Sequence, residues 1–279
     1  MRRLAWAAAL LGAALAAMVA GAWIAASRHD LSGLETRVPR RTALMAERAA
    51  QAAREGRRVR VDHRPVPYAR ISPILRRAVL VAEDDAFFAH GGLDWNEIQA
   101  SVRRNVEARR VVRGGSTITQ QLAKNLWLGS ARTPWRKAEE MFLALRLERA
   151  LSKRRIFELY LNCIEWGDGI YGAEAAARRH FGVAAADLSP RQAVLLAAVI
   201  VNPRRYSPTT PSPRVERRAR LIAARLHRRG VLDEAGLRAA RGEAPRPAPP
   251  AYAAPDTAAA VAPRDSAAPG ETPPAAPPP

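Results

Sequence analysis

The chain has 279 residues, enough for one well-buried domain with appendages and too few for two enzymes. Apolar residues make up 48%, and a formal net charge of +19, from 42 arginines and three lysines against 26 acids, favours anionic partners: nucleic acid, an acidic membrane surface or a phosphate-bearing substrate. A single cysteine, Cys163, excludes an internal disulfide and a Cys-rich zinc site, and the five histidines have no ligand-like spacing, so no metal cage is expected.

After Arg2 and Arg3, Leu4 to Ala26 runs 23 residues without a charge. As a helix it spans roughly 34 Å at ~1.5 Å per residue, enough for a ~30 Å hydrocarbon core. Trp6 and Trp23 sit near its ends, where interfacial aromatics belong, and the short arginine-bearing end is expected to stay cytoplasmic. Small residues at 20–26 leave a cleaved signal peptide as the competing reading, but the stretch is longer than such a core and favours an anchor. Either way the main domain is exported, which weighs against nucleic acid. Residues 27–59 read as a polar juxtamembrane stalk with one amphipathic helix near 43–54. Residues 60–230 read as the domain, and 231–279 as a mostly disordered Pro/Ala tail, since twelve of the 22 prolines fall after residue 243.

Within 60–230 the chain reads helix after helix, so the fold class is mainly α. Ser72-Pro73, Asp94, Gly114-Gly115-Ser116, Thr133-Pro134, Ser152 and Ser189-Pro190 are starts, combining a cap with, in three cases, proline at the first helical position. Apolar faces follow, such as Ile74, Leu75, Ala78, Val79 and Ala82, or Trp95, Ile98, Val102 and Val106. The last helix, apolar nearly all round from Ala193 to Val201, belongs in a core or against lipid.

Four segments are candidates for chemistry. Glu83-Asp84 follows an apolar helical face, and Glu83, Phe87 and His90 share one face if that helix continues. A carboxylate against an apolar wall has a raised pKa suited to a general base or acid; the plain alternative is a helix end paired with Arg76 or Arg77. In Arg113-Gly-Gly-Ser-Thr-Ile-Thr-Gln-Gln-Leu-Ala-Lys124-Asn125, a helix from Ser116 puts Thr117, Gln120, Gln121 and Lys124 on one polar face, behind a glycine turn whose N–H groups suit an anion. Arg136, Lys137 and Glu140 stand at helical spacing, as a surface ion pair or as a second carboxylate among cations. Gly167 to Gly172 matches G-x-G-x-x-G, but a helix precedes it where a dinucleotide site needs a strand.

Together these segments resemble the peptidoglycan glycosyltransferases of family 51, in particular the monofunctional biosynthetic branch. Glu83-Asp84-x-x-Phe87-x-x-His90-x-Gly92 is similar to the first family motif, the Arg113–Asn125 segment to the second and Arg136-Lys137-x-x-Glu140 to the third. Lys153-Arg-Arg-Ile-x-Glu-x-Tyr-Leu-Asn162 is similar to the fourth, and Phe181-Gly182 with Leu195-Leu196-Ala197 to the fifth. Gln192 and Ile200-Val201 depart from the family pattern, away from the catalytic positions. The resemblance implies a lysozyme-like helical domain behind one N-terminal membrane helix, with a hydrophobic jaw dipping into the outer leaflet of the cytoplasmic membrane. Glu83 would be the general base that deprotonates the acceptor 4-hydroxyl of lipid II. That oxygen attacks the nascent chain's terminal sugar with inversion, and undecaprenyl pyrophosphate leaves. Lys124, Arg136 and Lys137 would stabilise the leaving diphosphate, and Glu140 would orient those cations. Asp84, Phe87, His90, Ser116, Thr117, Gln121 and Asn125 would complete the substrate site. No cofactor is expected to bind tightly, although Mg2+ or Mn2+ could come with the substrate diphosphate. The implied partners are lipid II, the nascent glycan, the membrane and other wall-synthesis proteins. The alternatives are a glycan-cleaving lysozyme or lytic transglycosylase, which needs neither the cations nor an anchor, and a basic non-catalytic adaptor. No serine is followed by lysine three positions on, so no acyl-transfer activity is expected.

Overall fold

The computed structural model describes residues 1–58, 60–108, 115–131 and 133–244. Among them, eleven α-helices follow in order: α1 (Arg2–Ser27), α2 (Ala43–Arg54), α3 (Pro73–Glu83), α4 (Trp95–Glu107), α5 (Ile118–Ala123), α6 (Pro134–Ala150), α7 (Lys153–Cys163), α8 (Ala173–Phe181), α9 (Pro190–Val199), α10 (Pro213–Arg228) and α11 (Glu234–Arg241). A π turn over Lys124–Leu128 prolongs α5. Three short strands, β1 (Asp62–His63), β2 (Glu165–Gly167) and β3 (Ile170–Tyr171), form one sheet in the order β1-β3-β2, parallel then antiparallel. At two or three residues each they are too short to show alternation in the sequence.

The mainly α expectation holds, and capping chemistry explains where the helices begin. Side-chain oxygens of Ser72, Asp94, Thr117, Thr133, Ser152, Ser189 and Ser212 each accept the backbone N–H three residues on. Each such cap contributes ~1 kcal/mol. The helices then assemble around α9. Every residue from Ala193 to Val199 is buried, against α3, α10 and α11, so its all-round apolar surface is a core surface rather than a lipid one. A second layer packs α5 between α6 and α7, where Phe157 and Tyr160 are fully buried. The G-x-G-x-x-G run is the β2–β3 hairpin and the turn into α8. Gly172 has φ +85°, and a Cβ there would lie 2.7 Å from the Asn162 carbonyl oxygen, so close backbone approach explains that glycine.

Two boundaries differ from the sequence reading. Residues 27–59 were expected to form a stalk, yet much of this stretch lies against the domain. Leu44, Met45 and Ala52 of α2 are buried, α2 packs on the π turn, and Arg48 Nε donates to Glu165 at 3.2 Å. His29 Nε2 meets Glu139 at 2.9 Å, and Arg146 donates to the carbonyls of Ala26 and His29. At the other end the expected tail begins at 231, but Leu232 is buried and α11 buries Leu237 and Ala240, with α11 packed on α9 and α10. Two apolar side chains of this short amphipathic helix, with Leu232 just before it, outweigh the surrounding polar composition. The Pro/Ala stretch from 245 onward lies outside the described residues.

The N-terminal helix contrasts with all of this. In α1 only Ala22 and Ala26 are buried, while Trp6 and Trp23 are exposed. It is long and apolar enough to cross a membrane. Its last turns pack on α6, where Trp135 covers Gly21 so closely that a Cβ would lie 2.4 Å from the ring.

Candidate active site

A cleft of about 1060 Å³ opens where the C-terminal end of α3, the first turns of α4 and α5, the residues after α9 and one face of α10 converge. Glu83, the last residue of α3, stands in its wall with 12% of its side chain exposed. Arg218 Nη2 on α10 donates to Glu83 Oε1 at 2.7 Å, and Gln121 Nε2 on α5 donates to Oε2 at 3.2 Å. The Tyr160 hydroxyl on α7 donates to Gln121 Oε1 at 3.0 Å and so fixes which end of the amide faces the carboxylate. Burial pushes the Glu83 carboxyl above the usual glutamate range, and Arg218, Gln121 and Lys124 only partly offset it. Burial likewise drives the Tyr160 phenol far up, so it stays a neutral donor.

The remaining first-motif residues have structural partners instead. The helix expected to continue to His90 stops at Glu83, because the Asp84 carboxylate is engaged elsewhere: it accepts the Ile118 N–H at 2.9 Å and meets His90 Nε2 at 3.0 Å. His90 Nδ1 in turn accepts the Gly92 N–H at 3.2 Å, which places the proton of a neutral ring on Nε2, toward Asp84. Phe87 is completely buried, 4.3 Å from the Lys153 ammonium and packed beside Phe157. Glu83, Phe87 and His90 therefore share no helical face. Asp84 reaches the cleft wall but serves as a strut to α5, and neither Phe87 nor His90 lines the cleft. Nor does Glu83 pair with Arg76 or Arg77; Arg76 stacks on Tyr68.

In the second motif, Arg113 and Gly114 lie outside the described residues. α5 begins at Ile118, two residues after the expected start at Ser116, with Thr117 as cap. Thr117 Oγ1 accepts the Gln120 N–H at 3.2 Å, Gln120 Oε1 accepts the Thr117 N–H at 3.0 Å, and the Thr117 hydroxyl donates to the Gly92 carbonyl at 2.6 Å. Of the N–H groups at this helix start, those of Thr117, Ile118 and Gln120 have partners inside the protein. Gln120 is buried, not part of a polar stripe, and Asn125 is buried without lining the cleft. Ser116, Thr117, Gln121 and Lys124 do line it.

Glu140, buried on α6, accepts Arg136 Nη1 at 2.7 Å and Lys137 Nζ at 2.5 Å, and Lys137 also donates to Ser116 Oγ at 2.8 Å. These three residues stand behind the cleft wall rather than in it. Their link to the cleft runs through Ser116 and Lys124. Burial lowers the Lys124 pKa; the Glu140 carboxylate is the main influence holding the ammonium charged, and Arg136 and Lys137 push the other way. Glu140 is placed to orient cations rather than to meet a substrate.

The sequence reading missed α10. Arg214, Arg218, Arg225, Arg228 and Arg229 line the cleft from the face beside the buried Val215, Ala219, Ile222 and Leu226. The amphipathic spacing of this helix was legible, but in a chain with 42 arginines a basic face carries no signal of its own. Tyr160 stood in the sequence only as the tyrosine of the fourth motif, with no role assigned to it.

A family model described as Transglycosylase matches residues 50–227. The biosynthetic peptidoglycan transglycosylase of Laribacter hongkongensis is 48% identical over 189 residues, which is 68% of this chain and 83% of that protein. Proteins of the same name from Methylobacillus flagellatus (52% identical over 166 residues, 60% of this chain and 72% of that one) and Alcanivorax borkumensis (50% over 188 residues, 67% and 74%) are similar to the same extent.

Proposed function

The chain belongs to the transglycosylase family, and on that premise we propose that it builds peptidoglycan by polymerising lipid II at the Glu83 cleft. It is a glycosyltransferase of cell-wall synthesis. The observation that carries the mechanism is Glu83: a carboxylate with a raised pKa, fixed through both oxygens, in the same cleft as the Lys124 ammonium. Glu83 takes the proton of the acceptor sugar's 4-hydroxyl as that oxygen attacks the anomeric carbon of the nascent chain's terminal sugar. The new glycosidic bond forms with inversion as the bond to the diphosphate breaks, and undecaprenyl pyrophosphate leaves with the electron pair. Charge developing on that leaving group is met by Lys124, backed by Arg136 and Lys137 on the Glu140 carboxylate.

The cleft carboxylates do not suit a protein-held divalent ion. Glu83 is bonded to Arg218, Asp84 to His90 and the Ile118 N–H, Asp85 to Arg229, Asp94 to the Glu97 N–H and Glu97 to the Ser101 hydroxyl. A Mg2+ or Mn2+ ion would be held by the substrate diphosphate, and no step above passes through it. The apolar helix α1 supports a single-pass anchor with the domain on the outer face of the cytoplasmic membrane. Trp95, Val102 and Val106 on α4, with Phe88 just before it, expose apolar surface that supports contact of the domain with lipid. The test is incubation of the full chain in detergent with lipid II and sizing of the product on a gel. Polymer is the expected product; release of muropeptides from finished wall, with no polymer from lipid II, overturns the reading.

A further inference from the structure

Two arginines of α10 reach the C-terminal end of α3. Arg225 Nη1 donates to the Val81 carbonyl at 3.3 Å; Arg218 Nη2 donates to the Ala82 carbonyl at 3.2 Å and to Glu83 Oε1 at 2.7 Å. Cations at a helix C-terminus are favourable because the last carbonyls carry the negative end of the helix dipole. Capping alone would account for Arg225, whose contact with α3 ends at the backbone. Arg218 continues onto the carboxylate, and its own Nε is left buried with no acceptor among the described residues. Capping therefore does not account for the contact that Arg218 makes with the carboxylate.

Resting on the reading of Glu83 as the base, we propose that Arg218 is a positioning residue whose guanidinium, bridging the Ala82 carbonyl and Glu83 Oε1, keeps the base ionised and aimed into the cleft. The other groups facing Glu83 are Gln121 and Lys124 from α5 and the π turn, Asp84 at the end of α3, and Tyr160 of α7 behind Gln121. α9, also packed on α3, carries one titratable group, Arg191, which is bonded to Glu216. Among these, Arg218 is the strongest influence opposing the upward push of burial on Glu83. It holds Oε1 tightly, whereas the 3.2 Å contact from Gln121 is the longer one, so Oε2 is the oxygen that takes the proton.

The experiment is kcat/KM on lipid II against pH for the full chain and for Arg218→Gln, Arg218→Lys, Arg225→Gln and Glu83→Gln. Catalysis needs the ionised base, and an opposite charge at this range lowers a carboxylate pKa by about 1–3 units. Arg218→Gln therefore moves the acid limb up by about 1–3 pH units, with a roughly ten- to thousandfold loss near pH 5 that shrinks toward pH 9. Arg218→Lys keeps the charge, but its ammonium ends about one bond short of the Nη2 position that meets both acceptors, so it moves the limb less, by at least about half a unit. Arg225→Gln leaves it in place. An acid limb unmoved in Arg218→Gln, or the same fractional loss at every pH, overturns the proposal. If that variant does not fold, an unmoved limb in Arg218→Lys overturns it. Glu83→Gln separates the two claims: if it polymerises like the wild type, the base assignment itself fails, whereas an inactive Glu83→Gln beside an unmoved Arg218 limb refutes only the role of Arg218.

Discussion

Two glutamates in this protein look alike until their surroundings are compared. Glu83 and Glu165 are both mostly buried, both bonded to one arginine, and both pushed above the usual carboxylate range, first by burial. Glu165 sits under α2, where Arg48 reaches one oxygen at 3.2 Å; its other oxygen and the neighbouring Tyr171 hydroxyl are buried without partners among the described residues. Glu83 has donors on both oxygens and opens onto a cleft that also holds an ammonium. A raised pKa therefore does not mark the active site by itself, since burial raises any carboxyl it covers. What separates the two is solvent access for a substrate, fixed geometry, and a cation placed where charge develops.

Glu83→Gln is the largest break in that comparison. It keeps the shape and removes the base, so polymerisation falls about 10²–10⁴-fold with folding intact. More than a tenth of wild-type product from a folded variant contradicts the assignment. Lys124 comes next. Lysine is one of three in a chain with 42 arginines, and a broad planar fork fits poorly where a sugar and a diphosphate must enter together. Lys124→Arg is expected to cost about 1.5–3 kcal/mol in kcat/KM, roughly ten- to two-hundredfold, and Lys124→Ala more; an arginine variant within threefold of wild type means that charge alone suffices. Tyr160→Phe removes the hydroxyl that orients Gln121 and costs about 1 kcal/mol, roughly fivefold in kcat/KM. Unchanged kinetics would show that Gln121 needs no such support.

The smallest expected effect on activity is at the second glutamate. Glu165→Gln leaves kcat/KM within about twofold, and its signature is in stability. An unfolded carboxyl titrates near 4.5 and the folded one above it, so the cost of burying the charge is absent below pH 4.5 and grows as pH rises through the folded value. Glutamine carries no such cost. The Tm of the variant relative to wild type should rise between pH 4.5 and 7, and a difference that stays flat or falls contradicts the account of this pair.

Features written in local chemistry were legible in the sequence. The charge-free run of α1, the Ser-Pro and Asp caps of α3, α4 and α9, and Glu83 after an apolar face all follow from short-range rules. The failures were long-range. Nothing local says that α3 stops at Glu83, because the Asp84 carboxylate is drawn to an N–H 34 residues away. Nothing local distinguishes Arg218 from its many neighbours, since its role comes from which helix α10 packs against. α2 and α11 were read as appendages because their composition is polar, although each carries a few apolar residues at the spacing that buries them. Thr117 and Asp84 line the cleft as expected, but their ties to the Gly92 carbonyl and the Ile118 N–H reach other segments and were not legible.

The central claim is that one buried carboxylate, Glu83, must be ionised for glycan transfer. The most direct measurement is kcat/KM of the wild-type chain with lipid II from pH 4 to 9. The account predicts a rise governed by a single ionisation with its midpoint above 4.5, the ordinary glutamate value. A profile that is flat across this range, or that has already reached its plateau at pH 4.5, would contradict it.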